Sequence, residues 1–231
     1  MENKKPIVKT HHFGQFPLYW IGPDLDEVAK TCLYFSLSGE ESLTAPPFCN
    51  PAHILLNKGF RVISATLPDH ENNERPQNMS VVWGDHPEKL ENFFDNMSRA
   101  IESISPQCDG PIAALGLSRG GFVATHLAAR SKSIQTVIGY APLTALRGAP
   151  EMDLSNLANL VKHKKIHYTI GHNDTLVETP RVITTISSFI DALDPKERAS
   201  ASITLSITPS IGKYGHGTSD ATFVEGISWI N

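Results

Sequence analysis

Residues 111–122 read Pro-Ile-Ala-Ala-Leu-Gly-Leu-Ser-Arg-Gly-Gly-Phe, and this stretch decides the fold class. A short apolar run leads into Ser118 and a helical pattern follows, so we predict a buried strand, a sharp turn and a helix. Gly116 and Gly120 stand where such a turn leaves no room for side chains. Free N–H groups at the amino end of the helix favour negative charge. Ser118 is therefore a candidate nucleophile, and the N–H of Arg119 is a candidate oxyanion donor.

The Gly-x-Ser-x-Gly pattern alone is weak evidence, because it arises by chance in roughly one chain in twelve of this length. An ordinary strand-to-helix turn with glycines for close packing is the alternative interpretation. The strand predicted before Ser118 and the helix predicted after it favour a nucleophile. A serine hydroxyl also needs a histidine to remove its proton and a carboxylate to orient that histidine.

Two loops further along the chain supply these groups. The strand predicted over 165–170 ends in Gly-His-Asn-Asp, which puts Asp174 at the carboxyl end of a strand. Open α/β sheets build their sites at that end. The strand predicted over 201–208 leads into Gly-Lys-Tyr-Gly-His-Gly-Thr, where two glycines leave His216 free to swing toward Ser118.

The order Ser118, Asp174, His216, each in a loop after a strand, resembles the α/β-hydrolase superfamily. The resemblance covers residues 30–231. Residues 171–177 are similar to the acid loop of that superfamily, and Gly-His-Gly at 215–217 is similar to its histidine loop. The resemblance implies an α/β fold with a mostly parallel central sheet of about eight strands and helices on both faces. It implies Ser118, Asp174 and His216 as the catalytic residues.

Residues 59–70 likewise resemble the fourth-strand region of the superfamily, but the chain departs from the pattern at two places. Many members carry His-Gly where this chain has Ser38-Gly39, and Gly-His-Gly where it has Asp69-His70-Glu71. The departures bear on the second oxyanion donor. For that donor we predict the backbone N–H of Glu40.

Alternation of strands and helices along the chain predicts the same architecture from the residues alone. Strands are predicted from apolar runs over 7–13, 16–21, 32–37, 61–67, 111–117, 134–140, 165–170 and 201–208. Helices are predicted from their periodicity and end signals over 51–58, 87–104, 120–130, 154–161, 181–193 and 219–229. The first two strands should form a hairpin, and a polar loop should follow the third. Asn50 and Asp153 are predicted as N-caps.

Composition excludes several classes of protein. The chain has 20 Lys and Arg against 24 Asp and Glu, a net charge of -4, and so lacks the basic surface of a nucleic-acid-binding protein. The chain has three cysteines, which do not indicate a disulfide framework. We therefore predict a cytoplasmic location. Residues 1–30 lack the apolar run of a signal peptide or membrane span. The length suits one domain, residues 1–231, with a minimal lid near 141–164.

The remaining histidines are interpreted as structural. His172 is expected to support its loop, and His126 to pack or to face solvent. His163 and His167 have the spacing of a helical metal pair, but they straddle a predicted strand start and lack a third ligand. No metal and no cofactor are predicted.

A minimal lid resembles the compact, lid-poor serine esterases and the dienelactone-hydrolase-like enzymes. The resemblance implies a carboxylesterase that cleaves small or medium acyl esters through an acyl-enzyme, with a small-molecule ester as its partner. A serine peptidase or amidase is the nearest alternative. A non-catalytic binding protein with the same fold is another, because fold does not guarantee activity. The sequence predicts no oligomeric state.

Overall fold

The computed structural model describes residues 6–71 and 78–230. These residues form one eight-stranded sheet. Its strands in chain order are β1 Lys9–Phe13, β2 Phe16–Ile21, β3 Thr31–Phe35, β4 Arg61–Ser64, β5 Ile112–Leu117, β6 Ile134–Tyr140, β7 Lys165–Gly171 and β8 Ile203–Thr208. Their spatial order is β1-β2-β4-β3-β5-β6-β7-β8. The pairs of β2 with β1 and with β4 are antiparallel and the others are parallel, which confirms the predicted hairpin and sheet.

The helices connect these strands and cover both faces of the sheet. Within the described residues they are α1 Gly39–Thr44, α2 Asn50–Asn57, α3 Met79–Asp85, α4 Pro87–Ile104, α5 Arg119–Arg130, α6 Ala158–Val161, α7 Thr179–Asp191 and α8 Asp220–Ile227. Alternate residues of β5 face two separate cores: Ala114 packs with α4, α5 and α7, whereas Ala113 and Leu115 pack with α2 and α8. A strand buried on both faces is apolar throughout, which is why residues 112–117 were predictable.

Helix α1 lies where the sequence predicts a polar loop, so that prediction is wrong. The Ser38 hydroxyl accepts a hydrogen bond from the N–H of Glu41 at 3.3 Å and contacts the Glu41 carboxylate at 3.1 Å. An N-cap hydroxyl that accepts from an N–H of the first turn stabilises the start of a helix. Helix α1 has only six residues, too few to show an apolar period.

Two predicted caps also differ from the structure. Asn50 is the first residue of α2 rather than its cap, and its amide donates to Asp220 in α8 at 2.8 Å. Asp153 does precede a helical segment, but its carboxylate accepts from the N–H of Leu146 at 2.9 Å instead of capping that segment. The segment itself is a 3₁₀ turn, Leu154–Leu157, followed by the single turn of α6.

Gly120 lets α5 lie directly against β3. A Cβ atom at this position would lie 1.8 Å from the carbonyl oxygen of Phe35, a backbone atom in the middle of the sheet. We expect Gly120→Ala to lower the free energy of unfolding by roughly 3 kcal/mol or more, because the helix and the strand must separate. Urea denaturation followed by circular dichroism measures the loss.

Gly59→Ala is the matched control for this prediction. Gly59 has φ +83°, but a Cβ atom there would meet no atom within 4 Å. The substitution therefore adds only backbone strain, about 1 to 2 kcal/mol. Equal losses in the two variants would show that α5 can move away from β3 at little cost.

Candidate active site

Ser118 occupies a strained turn between β5 and α5. Its φ of +54° and ψ of -116° are rare for a residue with a side chain. The backbone around it holds this conformation: the Ser118 N–H donates to the carbonyl of Tyr140 at 2.7 Å, and the Ser118 carbonyl accepts from Gly121 and Leu143 at 3.0 Å each. A Cβ atom at Gly116 would lie 1.9 Å from the carbonyl carbon of Gly120. This confirms the predicted reason for glycine at position 116.

Ser118, His216 and Asp174 form one hydrogen-bonded chain. The Ser118 Oγ atom lies 2.9 Å from His216 Nε2, and His216 Nδ1 lies 2.6 Å from Asp174 Oδ2. An ionised carboxylate can only accept a hydrogen bond, so Nδ1 carries the proton and donates a hydrogen bond to Asp174. Nε2 is then the acceptor that faces the serine hydroxyl. The structure thus brings together three residues that are far apart in the sequence.

Asp174 is held by two further donors. Its Oδ1 atom accepts from the N–H groups of Leu176 at 2.9 Å and Val177 at 3.1 Å. Burial of the side chain acts to raise the pKa of Asp174, but the hydrogen bond and electrostatic attraction of the His216 ring and the two N–H groups outweigh it. The pKa of Asp174 therefore lies below its ordinary value. The carboxylate is ionised at neutral pH.

The loop that carries His216 is packed against the loop that carries Asp174. The N–H of Thr175 donates to the carbonyl of Tyr214 at 2.9 Å. Gly215 has φ +68°, and a Cβ atom there would lie 2.3 Å from the carbonyl oxygen of Asn173. Glycine at 215 permits this close approach, a different reason from the predicted freedom of His216 to swing.

Ser118 and His216 line a cavity of about 210 Å³. Most of the other side chains that line it are apolar: Leu37, Pro47, Phe48, Leu117, Leu176 and Phe223. They come from loops and helices along the whole chain, so no local sequence signal marks them. The cavity suits a short apolar chain bound beside the serine.

Arg119 and Glu40, the two predicted oxyanion donors, lie in different places. Arg119 lines the cavity of Ser118, and its N–H is the first of α5, where a helix offers no internal acceptor. Glu40 instead lines a separate cavity of about 330 Å³, together with Tyr19 and His70. Glu40 is not among the residues that line the cavity of Ser118, and it lies in the first turn of α1.

Leu37 follows the end of β3, as Ser118 follows the end of β5. It lines the cavity that contains Ser118. The register of β3 and β5 pairs Phe35 with Gly116. Leu37 lies two residues after Phe35, and Ser118 lies two residues after Gly116. The N–H of Leu37 donates to the hydroxyl of Ser42 at 3.1 Å.

The other histidines have structural partners. The Nδ1 atom of His172 accepts from the N–H of Ser210 at 3.2 Å, which ties the acid loop to the end of β8. His126 is buried and stacks on Phe94 with ring centroids 4.8 Å apart. His167 is buried in β7 and stacks on Trp229. Across residues 6–71 and 78–230, no three His, Cys, Asp or Glu side chains cluster as metal ligands.

In the part of the chain that the structure describes, no helix combines the length and the apolar character that crossing a membrane requires. Residues 141–164, the region predicted as a minimal lid, contribute side chains to the core. Leu143, Leu146, Met152 and Leu154 all belong to the cluster that packs under α5 and α7.

No protein-family model matches the chain, and no curated protein matches its sequence. Solved structures do match it. TT1662 from Thermus thermophilus has a TM-score of 0.72 at 14% identity, over 97% of both chains. A cold-adapted esterase from an Arctic intertidal metagenomic library has a TM-score of 0.71 at 16% identity, over 96% of this chain and 91% of that one. Acylaminoacyl peptidase of Pyrococcus horikoshii has a TM-score of 0.67 at 13% identity, over 99% of this chain and 41% of the peptidase.

These matches, together with the sheet order, define the class of structure. The chain has the α/β-hydrolase fold. This confirms the fold that the sequence resemblance implies. At such low sequence identities the matches show the fold alone. The chemistry has to be inferred from the geometry of the site.

Proposed function

We propose that this chain is a serine hydrolase, and that it is a carboxylesterase for small or medium acyl esters. The observation that supports the proposal is the hydrogen-bonded chain from Asp174 through His216 to Ser118, with the serine on a strained turn. A strained turn aims the hydroxyl into the cavity, and the buried carboxylate fixes the histidine tautomer. In this proposal Ser118 is the nucleophile, His216 the general base and Asp174 the residue that orients it.

The proposed reaction has two halves. Nε2 of His216 removes the proton of Ser118 while Oγ attacks the ester carbonyl, and the same proton then goes to the departing alcohol. A water molecule, deprotonated in its turn by His216, hydrolyses the acyl-enzyme and regenerates the serine. The N–H of Arg119 is one proposed donor to the oxyanion of both intermediates. Glu40, predicted as the second donor, lines a cavity separate from that of Ser118.

The cavity supports a preference for short acyl groups. It has about 210 Å³ and apolar walls, which suits a few methylene groups beside the reacting carbonyl. A series of p-nitrophenyl esters from acetate to laurate, compared with aminoacyl p-nitroanilides, tests this proposal. We expect kcat/KM to peak among the short and medium esters and to be lower for every anilide.

Labelling with a fluorophosphonate tests the mechanism independently of the substrate. The reagent should form an adduct that peptide mapping locates at Ser118. Faster cleavage of the anilides would identify an amidase or peptidase instead of an esterase. Absence of both turnover and labelling would identify a non-catalytic protein of the same fold.

A further inference from the structure

The side chain of Arg119, the residue after the proposed nucleophile, has an uncharged partner. Its Nη1 atom donates to Nε2 of His70 at 2.5 Å. Nδ1 of His70 in turn donates to the carbonyl of Pro68 at 2.9 Å. A ring that donates at Nδ1 and accepts at Nε2 is neutral. Burial above all lowers the pKa of His70 to about 4, which keeps the ring neutral at physiological pH.

This arrangement gives the charge of Arg119 no carboxylate partner among the described residues. Across residues 6–71 and 78–230, Arg119 forms no ion pair, whereas Arg130 pairs with Glu91 at 2.8 Å and Arg181 pairs with Glu178 at 2.6 Å. Burial also lowers the pKa of Arg119 to about 10, the mark of a partly desolvated cation. A buried charge is costly unless it is paired.

The guanidinium of Arg119 also has donors to spare. Arg61, the other deeply placed arginine, donates from Nε, Nη1 and Nη2 to the Thr31 hydroxyl and to three backbone carbonyls. Arg119 donates only from Nη1, within the described residues, although a guanidinium has five N–H donors. Arg119 is one of the residues that line the cavity of Ser118, and this is the observation that puts its remaining donors near a bound acyl group.

We propose that the guanidinium of Arg119 binds a carboxylate of the substrate, so that the preferred esters carry an acyl group that ends in a carboxylate. A planar guanidinium matches a carboxylate and binds it through charge-assisted hydrogen bonds. The remaining cavity wall is largely apolar and encloses about 210 Å³, so the acyl group is a short dicarboxylic acid, such as a succinyl or glutaryl group. His70 acts as a positioning residue, because it fixes the guanidinium without neutralising it.

The inference rests on the proposed function and is tested with two matched esters. The mono-p-nitrophenyl ester of succinic acid carries the carboxylate, and its methyl ester is the neutral counterpart. We expect wild-type kcat/KM to be roughly tenfold to a hundredfold higher for the anionic ester, because a hydrogen bond between charged groups contributes a binding free energy of that size. Arg119→Gln should bring this ratio close to one. The ratio cancels any loss common to both esters, including damage to the oxyanion donors.

Two further variants separate a specific contact from general electrostatics. Lys213→Gln removes the same charge from an exposed position on the loop that carries His216, and it should leave the ratio unchanged. Arg119→Lys keeps the positive charge but loses the planar, forked guanidinium. It should therefore show part of the preference that Arg119→Gln loses. Labelling of Ser118 by a neutral fluorophosphonate shows that each variant is folded at the site.

A wild-type ratio near one, or a ratio that survives Arg119→Gln, would overturn the inference while leaving the proposed hydrolase intact. Loss of the ratio in Lys213→Gln as well would assign the preference to the overall field of the protein and overturn the role of Arg119. If neither ester is cleaved and Ser118 is not labelled, the proposed function fails and this inference fails with it.

Discussion

Replacing Ser118 with alanine is expected to lower kcat for p-nitrophenyl acetate by about 10⁴-fold or more. The substitution removes the oxygen that lies 2.9 Å from His216 Nε2, and with it the atom that would form the acyl-enzyme. Activity above the uncatalysed rate would then come from the oxyanion donors and from binding alone. Steady-state kinetics over several enzyme preparations measures the loss, and fluorophosphonate labelling should disappear in the same variant.

Ser187→Ala is the matched control for Ser118→Ala. Ser187 is exposed on α7, and its hydroxyl contacts the carboxylate of Asp191 at 3.5 Å. The same chemical change at this position should leave kcat and labelling as in the wild type. If Ser118→Ala retained kcat within tenfold of the wild type, Ser118 would not be the nucleophile, and the strained turn would need another explanation.

The sheet could be predicted because burial of its strands produces apolar runs in the sequence. Strand β5 and the second half of β6 are buried on both faces, so the sequence shows apolar runs there that predict strands. Helix α4 has one apolar stripe through Leu90, Phe93 and Met97, and its bounds match the predicted ones. Helix α3, Met79–Asp85, was not predicted, because a seven-residue segment spans barely two turns.

The parts of the site that lay beyond prediction depend on how the chain folds over itself. The partnership of Arg119 with His70 joins residues 49 positions apart, and neither residue has a pattern that points to the other. Glu40 was chosen as an oxyanion donor on the assumption of a loop after β3. Helix α1 begins there instead, and Glu40 turns toward a neighbouring cavity.

Asp174→Asn is expected to lower kcat by about 10⁴-fold while leaving the fold in place. Asn has the same shape, so the N–H groups of Leu176 and Val177 still find an oxygen to bond. Its amide has no charge, however, and can donate to Nδ1 of His216, which would move the histidine proton to Nε2. A histidine with its proton on Nε2 cannot accept the proton of Ser118. The measurement is kcat against pH for both proteins.

The pH dependence of stability should separate the charge of Asp174 from its shape. Because the pKa of Asp174 is lowered in the folded protein, its ionised form stabilises the fold above the unfolded value near 3.8. That contribution disappears as the pH falls through the lower, folded value. The difference in unfolding free energy between wild type and Asp174→Asn should therefore shrink as the pH falls below 3.8.

Asp153→Asn supplies the control for both effects. Asp153 also accepts a hydrogen bond from a backbone N–H, that of Leu146, but burial raises its pKa and it does not contact His216. Its replacement should leave kcat unchanged, and the stability difference from wild type should not shrink below pH 3.8 as that of Asp174→Asn does. Loss of kcat in both variants alike would mean that the neutral amide disturbs the fold, and that the carboxylate of Asp174 has no separate effect on His216.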